Sequence, residues 1–318
     1  MKAAFLDFAT LGPGVSTAGL DQLLAVSYHT HSSHAEIRER LHDKEVALLN
    51  KAELDREIIT GSTGLKLIVL AATGTDNVDL EAAREKGIAV SNIRDYCTAA
   101  VVQHVMALIL GLTRHITSCR TPVSGKDWER SETRVLFEHP IRELTGKTLG
   151  IVGYGALGRG VAEAGRCFGM EVLVGERVGL AAEAVRKGRT PLCELLKQAD
   201  IISLHCPLTD ASRHMIGADE LRLMKSDALL INTARGALID SRALAEALDA
   251  GVIAGAGIDV LAEEPPADDE PLLSRDRPNL ILTPHIAWTA KESRQRAVDQ
   301  MVENVADYLN GGRLRRVI

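Results

Sequence analysis

The chain has 318 residues, 46% of them apolar and 25% charged, with 37 Lys and Arg against 43 Asp and Glu for a net charge of −6. A single core stops growing near ~250–300 residues, so two domains are expected, and the composition excludes a disordered, collagen-like or membrane-embedded chain. The acidic balance is spread along the sequence and disfavours general polyanion binding, and the short basic stretch Arg313 to Arg316, without interleaved aromatics, reads as a solvated terminus and not a nucleic-acid site.

From Met1 to about Cys97, apolar runs (Ala3 to Leu6, Val46 to Leu49, Leu67 to Leu70, Ile88 to Val90) alternate with helical patterns such as Ala35 to Leu41 and Leu80 to Lys86. This is an α/β pattern with a parallel sheet. Thr98 to Cys119 follows as a helix with a small N-cap residue and apolar positions all round, which implies burial on more than one side. Its most apolar part, Ala99 to Leu112, is interrupted by Gln103 and His104 and falls short of the ~20 residues that cross a bilayer. A second alternation runs through Leu149 to Val152, Val172 to Val174, Ile201 to Leu204, Ala228 to Ile231 and Ala254 to Ile258, predicting a second wound sheet. The final segment, Thr289 to Leu309, is a polar helix with Ala297, Val298, Met301, Val305 and Leu309 on one stripe, placed to return to the first domain. The five cysteines are scattered without zinc or redox spacing, and the N-terminus lacks the apolar core of an export signal, so a reducing, cytoplasmic setting is expected. No cluster has metal-ligand spacing.

Gly153-Tyr154-Gly155-Ala156-Leu157-Gly158 follows the strand ending at Val152 and opens a helical pattern over Ala156 to Phe168. In that context the first glycine permits the tight turn, the second admits a pyrophosphate to the backbone and the third lets helix and strand pack, with the phosphates at the positive helix N-terminus. Eighteen residues after Gly158 stands Glu176, a carboxylate able to accept from adenosine ribose hydroxyls and to repel a 2′-phosphate. The turn predicts dinucleotide binding. Glu176 points to NAD, while the neighbouring Arg177 leaves NADP open.

With these blocks in place, nearly the whole chain resembles the D-isomer-specific 2-hydroxyacid dehydrogenases. The resemblance is carried by Ala71 to Asp79, the glycine turn, Ile231-Asn232-Thr233-Ala234-Arg235-Gly236, Gly257-Ile258-Asp259-Val260 through Glu264-Pro265, and Thr283-Pro284-His285-Ile286-Ala287-Trp288. It implies two doubly wound, Rossmann-like α/β domains with the active site in the cleft between them. Residues 1–98 plus 286–318 would form a discontinuous substrate-binding domain, and 99–285 the NAD-binding domain, through which a homodimer would assemble over Ala99 to Arg120 and Thr121 to Phe137.

Reducing a 2-oxo acid requires a hydride donor, a proton donor and a cation for the carboxylate. By resemblance His285 is the acid–base, and Glu264, the position immediately before Pro265, is its partner, whose negative charge favours the imidazolium. Arg235 would grip the carboxylate with a planar, bidentate fork. Ala72, Thr73 and Gly74 look like the family's backbone cradle for that carboxylate. Asp259 would meet the nicotinamide amide, and Cys206, Pro207, Thr233 and Ala234 would line the cofactor. His104 reads as a core or interface histidine.

Within the family, Asn50-Lys51, Tyr96-Cys97-Thr98, Gln103-His104 and Trp288 look most like glycerate dehydrogenases, or hydroxypyruvate reductases. Trp288 would wall off a short, unphosphorylated acid, which favours hydroxypyruvate and glyoxylate over D-3-phosphoglycerate or D-lactate chemistry. Cys97 stands where that block would have glycine. The rival class is a dinucleotide-sensing corepressor that shares the fold.

Overall fold

Strands buried on both faces read as continuous apolar runs, and the runs above become the strands of two parallel sheets. The computed structural model describes residues 1–116, 118–132, 134–137, 139–177, 180 and 185–318, the side chains of residues 120 and 121 excepted. Thr117 and Thr133, within the stretch expected to pair two subunits, lie outside these residues. The chain divides into two units, Met1–Cys97 with Trp288–Ile318, and Thr98–Ala287.

In the first unit β1 (Lys2–Phe5), β2 (Ala25–Tyr28), β3 (Val46–Leu49), β4 (Leu67–Leu70) and β5 (Ala89–Ser91) form a parallel sheet in the order β2-β1-β3-β4-β5. The helices α1 (Ala18–Leu23), α2 (His34–Leu41), α3 (Arg56–Gly61) and α4 (Leu80–Glu85) connect them. Side-chain caps start three of these helices: Ser33 and Glu36 form a reciprocal box, and Asp55 and Asp79 accept from the N–H groups of Ile58 and Ala82. The edge strand β2 was not among the expected runs, because it is only partly buried and carries Ser27 and Tyr28. The C-terminal helix Lys291–Leu309 packs on α1 and β4, burying Ala297, Val298, Met301 and Val305.

The second unit begins with α5 (Thr98–Arg114), followed by α6 (Arg120–Ser124). The sequence places the end of α5 near Cys119; it stops at Arg114 because His115 takes a left-handed φ of 51°. Val105, Leu108, Ile109 and Leu112 of α5 are buried, and no helix among the described residues is long and apolar enough to cross a membrane. A six-stranded parallel sheet then forms from β6 (Thr148–Val152), β7 (Glu171–Val174), β8 (Ile201–Leu204), β9 (Leu229–Asn232), β10 (Gly255–Ile258) and β11 (Leu280–Leu282), in the order β11-β10-β9-β8-β6-β7. The helices α7 (Ala156–Cys167), α8 (Leu192–Gln198), α9 (Ala218–Leu223) and α10 (Ser241–Asp249) complete it. Buried Ile202, Leu204, Leu230, Ile258, Leu244 and Leu248 belong to one apolar cluster, each contributing about 1.5–3 kcal/mol of burial. Asn232 pairs with Ile258 and Ile258 with Leu282, so β9, β10 and β11 end level with one another.

Candidate active site

The chain leaves β6 for β7 on one side and returns to β8 on the other, so β6 and β8 flank a topological switch point, where wound sheets open a crevice for ligands. The loops at this point touch. Gly153, at φ 93°, lies so close to the loop after β8 that a Cβ there would meet Cys206 N and His205 C at 2.5 Å. A Cβ on Gly158 would stand 2.0 Å from Gly153 O, which is the close packing of helix on turn that the glycine spacing predicts. Gly155 caps α7, with Ala156 and Leu157 opening the helix, and a Cβ on it would meet nothing within 4 Å. This open face before a helix whose first N–H groups have no intrahelical partner is a cradle for an anion. Nearby in the sequence blocks assigned to the cofactor, the buried hydroxyl of Thr233 has no hydrogen-bond partner among the described residues. An open cradle and an orphaned hydroxyl fit a dinucleotide. Cys206 is half-buried, its Sγ 3.8 Å from Met215 Sδ, and burial pushes its thiol up; Pro207 is exposed and Ala234 partly buried.

Glu176 lies just past β7, buried, and accepts from the N–H groups of Arg177 at 2.6 Å and Arg186 at 2.9 Å. The Arg186 guanidinium covers both carboxylate oxygens, with Nε at 3.1 and 3.0 Å and Nη2 also bonded, and holds the carboxyl far below the usual range. Arg177 is exposed.

Three level strand ends deliver the residues expected to do chemistry. Arg235 stands three residues past β9, Glu264 six past β10 and His285 three past β11. Asn232 ties the Arg235 turn, its side chain donating to Arg235 O at 2.9 Å and accepting from Ala234 N at 3.0 Å. Gly236 brings this turn against the next loop, since a Cβ there would lie 1.9 Å from Leu261 C. In that loop Glu264 Oε1 accepts from Leu261 N at 3.0 Å, and its Oε2 lies 2.5 Å from His285 Nδ1. A carboxylate only accepts, so Nδ1 carries the proton and Nε2 faces away from the pair. Both side chains are partly exposed, 27% for His285 and 34% for Glu264. Glu263 is exposed.

His285 has φ 54°, a strained position for a residue with a Cβ. Asp259 holds it there. His285 N donates to Asp259 O at 2.8 Å, and the Asp259 carboxylate accepts from Ile286 N and Ala287 N at 2.9 Å each and from Thr283 Oγ1 at 2.5 Å. His104 Nε2 sits 3.0 Å from Thr283 Oγ1 and 3.5 Å from Asp259 Oδ1.

In the first unit, Ala72, Thr73 and Gly74 follow β4. Ala72 O accepts from Ile93 N, Thr73 Oγ1 donates to Ile93 O at 2.9 Å, and Asn92 Nδ2 donates to Thr73 O at 2.7 Å, which fixes the backbone of this loop. Trp288 is buried at 9% exposure and meets Tyr96 edge to face, with ring centroids 6.3 Å apart. Beside them, burial pushes the Cys97 thiol up to about 11. Among the described residues no group of three His, Cys, Asp or Glu side chains is placed to hold a metal ion.

Residues 106–287 match the NAD binding domain of the D-isomer specific 2-hydroxyacid dehydrogenases. Over 98% of its length the chain is 44% identical to the glycerate dehydrogenase of Methylorubrum extorquens, of which the match spans 96%. The chain belongs to the D-isomer specific 2-hydroxyacid dehydrogenase family. A hydroxypyruvate reductase of Blautia hydrogenotrophica is 35% identical, with 98% of each chain covered. Among solved structures, the D-lactate dehydrogenase of Aquifex aeolicus complexed with NAD and lactic acid superposes with a TM-score of 0.83 at 30% identity, covering 98% of this chain and 96% of the other.

Three features of this dehydrogenase escape sequence reasoning. Arg186, ten residues beyond Glu176, neutralises the acid. His104 and Thr283 join Asp259 across 179 and 24 residues of chain. Asp7, just past β1, accepts from the N–H groups of Asn50 at 2.9 Å and Ala52 at 2.8 Å and so shapes the loop after β3. An acid directly after an apolar strand run was the available signal for Asp7; the Gln103-His104 pair carries part of the resemblance but not this contact, and nothing local marks Arg186.

Proposed function

We propose that this dehydrogenase reduces small 2-oxo acids, hydroxypyruvate and glyoxylate first, to D-glycerate and glycolate with NAD(P)H, and runs the reverse reaction. The observation that carries this reading is the 2.5 Å contact between His285 Nδ1 and Glu264 Oε2, made at strand ends level with that of Arg235. The glycine turn, Cys206, Pro207, Thr233 and Ala234 would hold the dinucleotide, with Asp259 on the side of its carboxamide. Bound there, the nicotinamide supplies the hydride that reduces the 2-carbon.

The remaining steps belong to the protein. Arg235 presents two parallel N–H donors to the substrate carboxylate and draws electron density from the carbonyl, while the backbone at Ala72, Thr73 and Gly74 supplies further donors. His285, its Nδ1 bonded to Glu264, delivers the Nε2 proton to the carbonyl oxygen as the alkoxide develops. In the oxidative direction neutral Nε2 takes the hydroxyl proton. The ring of Trp288, packed on Tyr96, would wall off a short acid.

In this reading residues 1–98 plus 286–318 bind substrate and 99–285 bind the nucleotide. A homodimer would form through the latter, on the segment around a cavity of about 320 Å³ lined by Trp128, Val135, Leu136, His139 and Ile141. The exposure of Phe137, at 85%, supports a covered surface there. All five cysteines are free, which supports a reducing, cytoplasmic setting. The test is loss of nicotinamide absorbance with hydroxypyruvate, glyoxylate, pyruvate and phosphohydroxypyruvate. Turnover fastest with hydroxypyruvate or glyoxylate is expected; preference for phosphohydroxypyruvate or pyruvate, or no turnover with nucleotide binding retained, would overturn the assignment.

A further inference from the structure

An acid at the end of the second strand of a dinucleotide fold ordinarily reads NAD, by accepting from ribose hydroxyls and repelling a 2′-phosphate. In this protein the carboxylate of Glu176 is spent inward. Its side chain is 3% exposed, whereas that of Arg186 is 59% exposed. The guanidinium therefore lies between the carboxylate and solvent, with both oxygens bonded to Nε and two backbone N–H groups supplying further donors. An incoming ribose meets the cation, not the acid.

The surroundings add positive charge. Arg177 is exposed next to Glu176, and the Arg189 guanidinium lies 5.0 Å from the ring of Tyr154, a residue of the phosphate-binding turn itself. The segment bearing Arg186 and Arg189 is anchored to the sheet, because Thr190 N donates to Val174 O at 2.9 Å and Glu176 N to Thr190 O at 2.8 Å. Among the described residues Arg186 neutralises Glu176, so Arg177 and Arg189 leave a cationic surface beside the adenosine end of the cradle.

We propose that Arg186, latched over Glu176, forms with Arg177 and Arg189 a subsite for the 2′-phosphate of NADPH, so that the protein does not discriminate against NADPH. The proposal rests on the dehydrogenase reading above. It assigns cofactor choice to a residue ten positions beyond the acid that would otherwise set it. A guanidinium held by a carboxylate on one edge retains donors on the other, and a phosphate accepts them in charge-assisted bonds.

The test is direct binding of NADPH, NADH, 2′,5′-ADP and 5′-AMP to the full chain by calorimetry, for wild type, Arg186→Ala and Glu176→Gln. Wild type is expected to bind NADPH within about threefold of NADH or more tightly, and 2′,5′-ADP more tightly than 5′-AMP. Arg186→Ala should weaken NADPH about tenfold to a hundredfold, the scale of one charge-assisted contact, and strengthen NADH, because Glu176 is released to the ribose. Wild type binding NADPH a hundredfold more weakly than NADH would overturn the proposal, as would equal weakening of both nucleotides in Arg186→Ala. The wild-type measurement decides the matter even if the variant does not fold. Absence of turnover on every 2-oxo acid would overturn the proposed reaction and leave these binding results to decide the subsite on their own.

Discussion

Gly155→Ala separates the phosphate cradle from the fold that carries it. Gly155 has φ −77° and ψ −160°, an extended conformation open to alanine, and the added Cβ meets nothing within 4 Å. The free protein should therefore melt as wild type does, within ~0.5 kcal/mol. The new methyl projects into the space assigned to the pyrophosphate. Displacing that group costs the charge-assisted bonds to the backbone, about 2–3 kcal/mol, or roughly 30- to 150-fold in Kd for NADH. Gly158→Ala is the counterpart: its Cβ would lie 2.0 Å from Gly153 O, a backbone atom that can move only with the turn, so both stability and affinity should fall, by about 1–3 kcal/mol in stability. Thermal melts paired with NADH fluorescence titrations make the comparison. Wild-type NADH affinity in Gly155→Ala would refute the placement of the phosphates on this turn.

The other expectations concern chemistry and packing. His285→Ala should lower kcat about 10²- to 10⁴-fold with NADH binding retained; steady-state rates beside a binding titration check it, and undiminished turnover would remove His285 from the mechanism. Arg235→Lys keeps the charge but loses the bidentate fork, so kcat/KM for 2-oxo acids should fall at least about tenfold; a wild-type value would contradict the clamp. Asp259→Asn turns an N–H toward an N–H in the buried clamp on the His285 turn, at about 1–3 kcal/mol; both melting temperature and kcat should drop, and unchanged values of both would count against it. The Arg277 and Arg275 guanidinia lower the Asp249 carboxyl from 3.8 to about 2. Its stabilisation is thus complete above the unfolded value and fades as pH falls toward 2. Asp249→Asn should melt below wild type at neutral pH, with the gap closing in that acid window; a pH-independent gap would show that charge is not its cause.

Much of the fold was legible because parallel strands buried on both faces leave unbroken apolar runs, as at Val46–Leu49 and Ile201–Leu204. The half-exposed edge strand Ala25–Tyr28 has no such run, and the end of the helix at Arg114 depends on one left-handed residue that nothing in the pattern marks. The glycine turn was legible since Gly153 and Gly158 answer steric demands at their own spacing, while Gly155 leaves the face before the helix open. Glu176 illustrates the limit: its position is a sequence property, but its availability depends on Arg186, which reaches it across a turn.

The same contrast governs the reacting group. Residue types at strand ends announce Arg235, Glu264 and His285, whereas the geometry that makes His285 usable lies in residues with no such signature. A histidine at φ 54° holds a conformation the isolated chain disfavours, at a cost of order 1–3 kcal/mol. Asp259 offsets that cost by accepting two N–H groups of the residues that follow His285 and the Thr283 hydroxyl that precedes it, in a site 1% exposed where water cannot compete. Because the clamp grips backbone and not the imidazole, it fixes where the ring starts; Glu264 alone then sets which way it points. Position and orientation of this histidine are thus governed by two different acids, one buried and one partly open to solvent.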